Sequence, residues 1–406
     1  AVCYGVSLIL FLATLIGWPA AALKAPSDSP IFSTSRPIIN KTELRLIAIV
    51  VVAILSAMAF FGFANNRLLG GIRPWLAAIL LFVVAFAEAP DLKQEGIGKT
   101  LRSWWQKVNK RVLAALVLIS VISVFFRVYR LPEVPAEMTS DHAEKLLDVQ
   151  DILDGQRPIF LPRNTGREAM QFYLTAALVR FTPLQMNHLA LKVGTAIVGI
   201  VTIPFAYLIG RQFFGTLAGL ITAFLMSVSH WHIAVTRVGL RFPFTAAFAT
   251  PALYFLFRAF KNNRRNDWLV ASLFLGVGLH TYTAMRIVPL LFVVLISLRL
   301  GMDGWQILRN KRLPGINSWR QEFLANAILG GIFTILLFLP LMRVIVDDPE
   351  AFWLRMASRT QGSETPALGE LILMLINNVE DALLMFNIKG DDVVVNTIPG
   401  SPVLGT

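Results

Sequence analysis

With 406 residues, 55% of them hydrophobic and only 15% charged, the chain has too little polar surface to cover its apolar content, which excludes a soluble globule. The net charge of +12 does not signal nucleic acid, because the basic residues fall in short loops that alternate along a series of apolar runs, as the positive-inside rule requires. A single cysteine, Cys3, excludes an internal disulfide.

Runs of roughly 17 to 24 mainly apolar residues, enough to cross a hydrocarbon core, predict an all-α polytopic membrane protein. The first three, near 2–23, 44–64 and 73–89, make an accessory N-terminal bundle over 1–90 with almost no intramembrane charge. Position 1 is not Met and the first run begins at once, so the chain is expected to start downstream of its true beginning. A basic cytoplasmic linker follows over 91–111, where Trp104 and Trp105 suit the headgroup layer. The core is expected over 112–346, with spans near 112–129, 187–210, 215–235, 243–260 and 324–346 and shorter ones near 268–280 and 286–300, about ten in all. Three basic loops, marked by Lys99 and Arg102, by Lys261 and Arg264, and by Lys311 and Arg312, fall on one side, taken as the cytoplasm; Arg67 and Arg73 run against this order.

An acidic outer loop, 130–186, interrupts this core. Eight of the chain's 25 acidic residues lie between Arg130 and Glu168, a costly thing to place near lipid and hence the first place to look for chemistry. Asp141, Glu144, Asp148 and Asp151 recur at helical spacing, with Ala143, Leu146, Leu147 and Leu153 opposite, which predicts an amphipathic helix on the outer membrane surface, stopped by Gly155 and Pro158. The stretch 166–181 (GREAMQFYLTAALVRF) reads as a second surface or shallow re-entrant helix, with Arg167 and Glu168 at its start. Residues 347–406 read as another outer loop carrying an amphipathic helix, Ala367 to Phe386, with the chain expected to continue.

Asp141 opens the acidic helix with Glu144 three residues on, so it is an N-cap, a carboxylate general base at the water–membrane boundary, or both. Glu168 is either a second carboxylate for donor orientation or metal binding, or a first-turn acid complementing the helix dipole. Arg237, Arg241 and Arg286 sit at outer span ends, against the topological charge bias, and call for a shared anion, either a lipid headgroup or the phosphate of a lipid-linked substrate. His280 and Tyr282 flank Arg286 and are placed in the same pocket with His142 and Arg167. His230 and His232, at i and i+2, do not share a helix face and make a poor zinc pair. The GVG at Gly276 to Gly278 lacks a third glycine and a preceding strand, so it reads as helix packing and not a nucleotide loop.

The series SDHAEKLLDVQDILDG, GREAMQFYL, SHWHIAVTRVGLR, LHTYTAMR and FNIKGDDVVVNTIPGSPVL, from Val112 to the end, resembles bacterial membrane glycosyltransferases of the GT-C class, in the protein O-mannosyltransferase and aminoarabinose transferase branch. The resemblance implies a plasma-membrane enzyme that moves a sugar, with inversion, from a polyprenyl phosphate to a hydroxyl acceptor at the extracytoplasmic face. Membrane lipids and the donor are then its partners, with protein subunits of a membrane complex a further possibility. It carries Asp141 over as the base, Glu168 as the Glu of the Gly-Arg-Glu motif, and the three arginines as recurring basic positions; a divalent metal is left open. Where that family has an Asp-Glu pair, this chain has Asp141 followed by His142, which keeps a catalytically inactive scaffold or assembly subunit as the rival.

Overall fold

A computed structural model describes residues 35–37, 42–90, 109–136, 138–309 and 316–360, and isolated positions beyond 372. The first predicted span, most of the basic linker (91–108) and most of the helix predicted at 367–386 lie outside the described residues.

The protein is an all-α membrane bundle, as expected. Helices α1 (Thr42–Gly62) and α2 (Leu68–Phe86) form a tight hairpin. Glycines permit that approach: a Cβ on Gly70 would lie 2.1 Å from the Gly62 carbonyl oxygen. After α3 (Lys110–Val128), capped by Asn109, come the loop helices α4 (Ser140–Leu153) and α5 (Met170–Phe181). Helix α6 (His188–Phe214) starts at Asn187, whose side chain accepts from the Leu189 and Ala190 amides. The chain then zigzags through α7 (Thr216–Val228), α8 (His230–Arg237), α9 (Phe242–Asn262), α10 (Arg265–Gly278), a 3-10 turn (Thr283–Ile287), α11 (Val288–Arg309), α12 (Ile316–Asp347) and α13 (Pro349–Thr360).

Of the ten expected spans, nine fall on described residues, and the count there differs. Among the described residues six helices are long and apolar enough to cross a membrane, or seven if the bent pair α7–α8 is one span. The helices at α9 and α10 form, but α10 has only 14 residues, and α9, long enough at 21, carries Pro243 and Pro251 and ends in Arg258 and Lys261, which lower its apolarity. Helices α6 and α12 are central, with 56% and 44% of their span windows buried, against 17% for α1 and α3.

The bend of 53° between α7 and α8 frees backbone carbonyls inside the bundle. Arg127 of α3 meets them: it donates to the Ser227 carbonyl at 3.1 Å and the Met226 carbonyl at 3.3 Å, and its other contacts are Ser123 and the His232 Nδ1 at 2.5 Å. The arginine is fully buried, and nothing in the sequence reading singled it out.

Nor is the N-terminal hairpin detached. Trp75 donates to the Leu336 carbonyl of α12, Phe82 stacks on Phe333, and the α1–α2 turn reaches the acidic loop. There Asn66 accepts from the Ile159 and Phe160 amides and donates to the Phe160 carbonyl, while Arg67 bridges Pro158. Arg67 therefore lies at the loop end of the bundle, the end that disagreed with the charge rule.

Candidate functional site

The acidic helix forms, but its N-cap is Thr139, and the reciprocal partner at the third position is His142, not Asp141 with Glu144. Its orientation also differs from expectation. The buried face carries His142, Lys145, Asp148, Val149 and Ile152, whereas Leu147 is 54% exposed. Polar groups turn inward because basic partners wait there: Arg163 donates to Asp148 at 2.6 Å and Asp151 at 2.5 Å, and Arg167 bonds Asp148 at 3.0 Å and Glu144. Hydrogen bonds to Asp151 and then Asp148 push the Arg163 guanidinium further up. Fully buried Asp148 is thus held by two arginines.

The predicted helix at 166–181 begins only at Met170. Arg167 and Glu168 form a short strand, β4, paired antiparallel with β3 (Phe160–Leu161) after the β1 (Ser35–Pro37) and β2 (Glu88–Pro90) pair near the start of the chain. Alternation along β4 sends the two side chains opposite ways, Arg167 to the acidic helix and Glu168 into the bundle.

Fully buried Glu168 meets two cations from separate turns. Arg241, which precedes α9, reaches its Oε2 at 2.7 Å, and Arg286, in the 3-10 turn, reaches its Oε1 at 2.8 Å; the Thr283 hydroxyl donates to Oε1 at 3.3 Å. Aromatic rings wall this pair. The Arg241 guanidinium lies 5.4 Å from the Tyr282 ring and 6.0 Å from Phe172, and Arg286 lies 3.7 Å over Phe352 of α13, whose carbonyl it also bonds. Arg286 retains 12% of its side-chain exposure, against 3% for Arg241.

Arg237 departs from the expected trio. It donates to the carbonyls of Phe126 and Tyr129 at 2.7 and 2.8 Å and of Val134 at 2.9 Å, so the end of α3 serves as its anion. Lys192 does the same for Leu131 and Pro135. His280 contributes backbone and bulk: its Nε2 bonds the Leu337 carbonyl at 3.0 Å and its ring packs with Trp75 and Phe338, while its own carbonyl accepts from the Met170 amide.

Asp141 sits on the first turn of α4 with 46% of its side chain exposed, 3.8 Å from the Lys145 ammonium and bonded by the Asn164 amide. Asn164 belongs to the turn that leads into β4, which ties Asp141 to the strand carrying Glu168. His142 is buried against His188, ring centroids 4.5 Å apart, and its Nε2 lies 2.6 Å from the Val238 carbonyl. Burial outweighs that hydrogen bond and holds the ring below the ordinary histidine range. Burial likewise pushes the Tyr173 phenol, bonded to the Pro158 carbonyl, up to about 12.

Among the described residues no three His, Cys, Asp or Glu side chains gather as a metal site. Asn164, Arg163 and Thr283 escaped the sequence reading, and Asp148 entered it only as one charge of the acidic face. Asp148 and Arg163 were visible only as charges, and which charges pair is decided by the folding of the loop.

Residues 170–310 match the family model described as dolichyl-phosphate-mannose-protein mannosyltransferase. The matched stretch, less than half of the chain, runs from α5 to the end of α11; it contains Arg237, Arg241, His280, Tyr282 and Arg286 and stops short of Asp141, His142, Arg167 and Glu168. No curated protein matches the chain.

Proposed function

We propose that this protein is a membrane glycosyltransferase that takes a sugar from a polyprenyl phosphate and passes it to a hydroxyl acceptor at the extracytoplasmic face. The observation that carries this reading is the convergence of Arg241 and Arg286 on Glu168, whose strand neighbour Arg167 binds the acidic helix that presents Asp141 on its first turn. Both Arg241 and Arg286 lie within the stretch similar to the mannosyltransferase family, so mannose is the first sugar to try.

Attack of a hydroxyl on an anomeric carbon needs a base for the attacking group and charge stabilisation for the departing phosphate. Asp141 takes the hydroxyl proton as the new glycosidic bond forms. The bond between sugar and phosphate breaks, and the phosphate leaves with the electron pair, facing Arg286 and Arg241. Glu168 keeps these two cations oriented and partly neutralised until the donor arrives, since an isolated buried guanidinium is costly. The polyprenyl tail stays in lipid, alongside apolar surfaces such as that of α3, which exposes Val117, Leu118 and Val121.

The test is to reconstitute the protein in liposomes with radiolabelled polyprenyl phosphate mannose and follow release of label from the lipid. Consumption of the donor, enhanced by peptides bearing Ser or Thr, supports the proposal. Donor left intact across mannose, other hexose and aminopentose lipids would favour the scaffold reading instead.

A further inference from the structure

We propose that His142 is a positioning residue, a clamp that fixes the helix bearing Asp141 to the turn bearing Arg241. The inference rests on the reading of Asp141 as base and Arg241 as a phosphate holder, and it adds to that reading the part that sets the separation between them.

The ring uses both nitrogens. Nδ1 lies 3.1 Å from the Thr139 amide nitrogen, whose proton it must accept, so Nδ1 is unprotonated. The ring proton is then on Nε2 and is donated to the Val238 carbonyl at 2.6 Å. Val238 stands three residues before Arg241, and the turn between them is buried throughout. That turn passes through Gly239 at φ +78°, where a Cβ would press to 3.2 Å from the Cβ of Leu191, so the backbone has little freedom to follow a displaced partner. A second side chain, Gln171 of α5, holds the Gly239 carbonyl at 2.7 Å. His142 is thus the bond that reaches this turn from the acidic helix itself.

The two bonds separate two chemical demands. An acid at the third helical position would serve the Thr139 amide, as capping boxes commonly do. It would fail at Val238, where a carboxylate oxygen would face a carbonyl oxygen with no proton between them. A glutamine amide supplies an acceptor and a donor together; leucine supplies neither.

Three variants in reconstituted liposomes test the clamp: His142→Gln, His142→Glu and His142→Leu. With polyprenyl phosphate mannose as donor, His142→Gln is expected to keep most of the turnover. His142→Glu and His142→Leu are expected to lose kcat by about 10- to 100-fold, the scale of a roughly 1 Å misplacement, with KM for the donor essentially unchanged because Arg241 and Arg286 keep their contacts. In parallel, spin labels at Leu147 and Ile287, in a Cys3→Ser background, report the distance between the acidic helix and the Arg286 turn, which Glu168 ties to Arg241. That distribution should broaden in the Glu and Leu variants and not in the Gln variant.

Full kcat in His142→Glu, or an unbroadened distance in both Glu and Leu variants, overturns the clamp. If the Glu variant does not fold, the contrast between Gln and Leu decides. Asp141→Asn is the separate control: undiminished turnover there would remove the base assignment, and the clamp would then stand or fall on the distances alone.

Discussion

Glu168→Gln is the sharpest perturbation of the arginine cluster, because it changes charge and almost nothing else. The carboxylate is fully buried and accepts charge-assisted bonds from Arg241 at 2.7 Å and Arg286 at 2.8 Å. The amide keeps one oxygen acceptor, but its NH2 group must face a guanidinium that is itself only a donor. Removing one partner from a buried ion pair costs about 3 to 5 kcal/mol, since the remaining charge stays desolvated. The Phe352 ring under Arg286 attracts the cation before and after the substitution alike and so leaves this difference unchanged. A net destabilisation of about 3 to 5 kcal/mol is therefore expected. Chemical denaturation in detergent, followed by tryptophan fluorescence, measures it. If these arginines are built to receive phosphate, added pyrophosphate should stabilise the Gln variant more than the wild type, because both guanidinium groups have lost the Glu168 carboxylate. A variant as stable as wild type, with no response to pyrophosphate, would refute the view that Glu168 and a substrate phosphate share one set of cations.

The other predictions concern the loop, the bend and the sidedness. Asp141→Asn should leave donor binding intact and cut transfer by about 10² to 10⁴, read as initial rate at saturating donor; full turnover removes Asp141 from the mechanism. Arg127→Met should lower the melting temperature, because each buried carbonyl left unpaired at the α7–α8 bend costs about 1 to 3 kcal/mol; an unchanged melt would mean that the bend satisfies itself. A cysteine at exposed Glu133, in a Cys3→Ser background, should react with an impermeant thiol reagent in intact cells, and labelling only after lysis would reverse the topology. The His142 pKa lies below its unfolded value, so between the two the unfolded chain binds the extra proton, and stability is full above about pH 6.5 and falls as pH drops through the window. Melts at pH 7.5 and 5.5 should show a smaller acid loss in His142→Gln than in wild type; equal losses would place the acid sensitivity elsewhere.

Apolar run length and charge alternation were enough to identify a helical membrane bundle, because crossing a hydrocarbon core demands unbroken helices of about 20 residues and little else does. The boundaries of α1 and α3 were accordingly legible from the sequence alone to within two residues, while α6 runs on to Phe214 and α12 starts back at Ile316; the acidic helix and the identity of its carboxylates were legible too. Its inward face was not. A helical wheel places Asp148 on the polar side, and only the folding back of 160–168 shows that this polar side is covered by Arg163 and Arg167. The same limit applies to the arginines. Their position at span ends was visible, yet Arg241 and Arg286 share an anion while Arg237 turns to the carbonyls ending α3, a division set by the turns that carry them. Sequence periodicity records how a side chain points from its own axis. Which buried charge meets which depends on contacts between residues far apart in the chain, such as Glu168 with Arg286, and those exist only once the helices have packed.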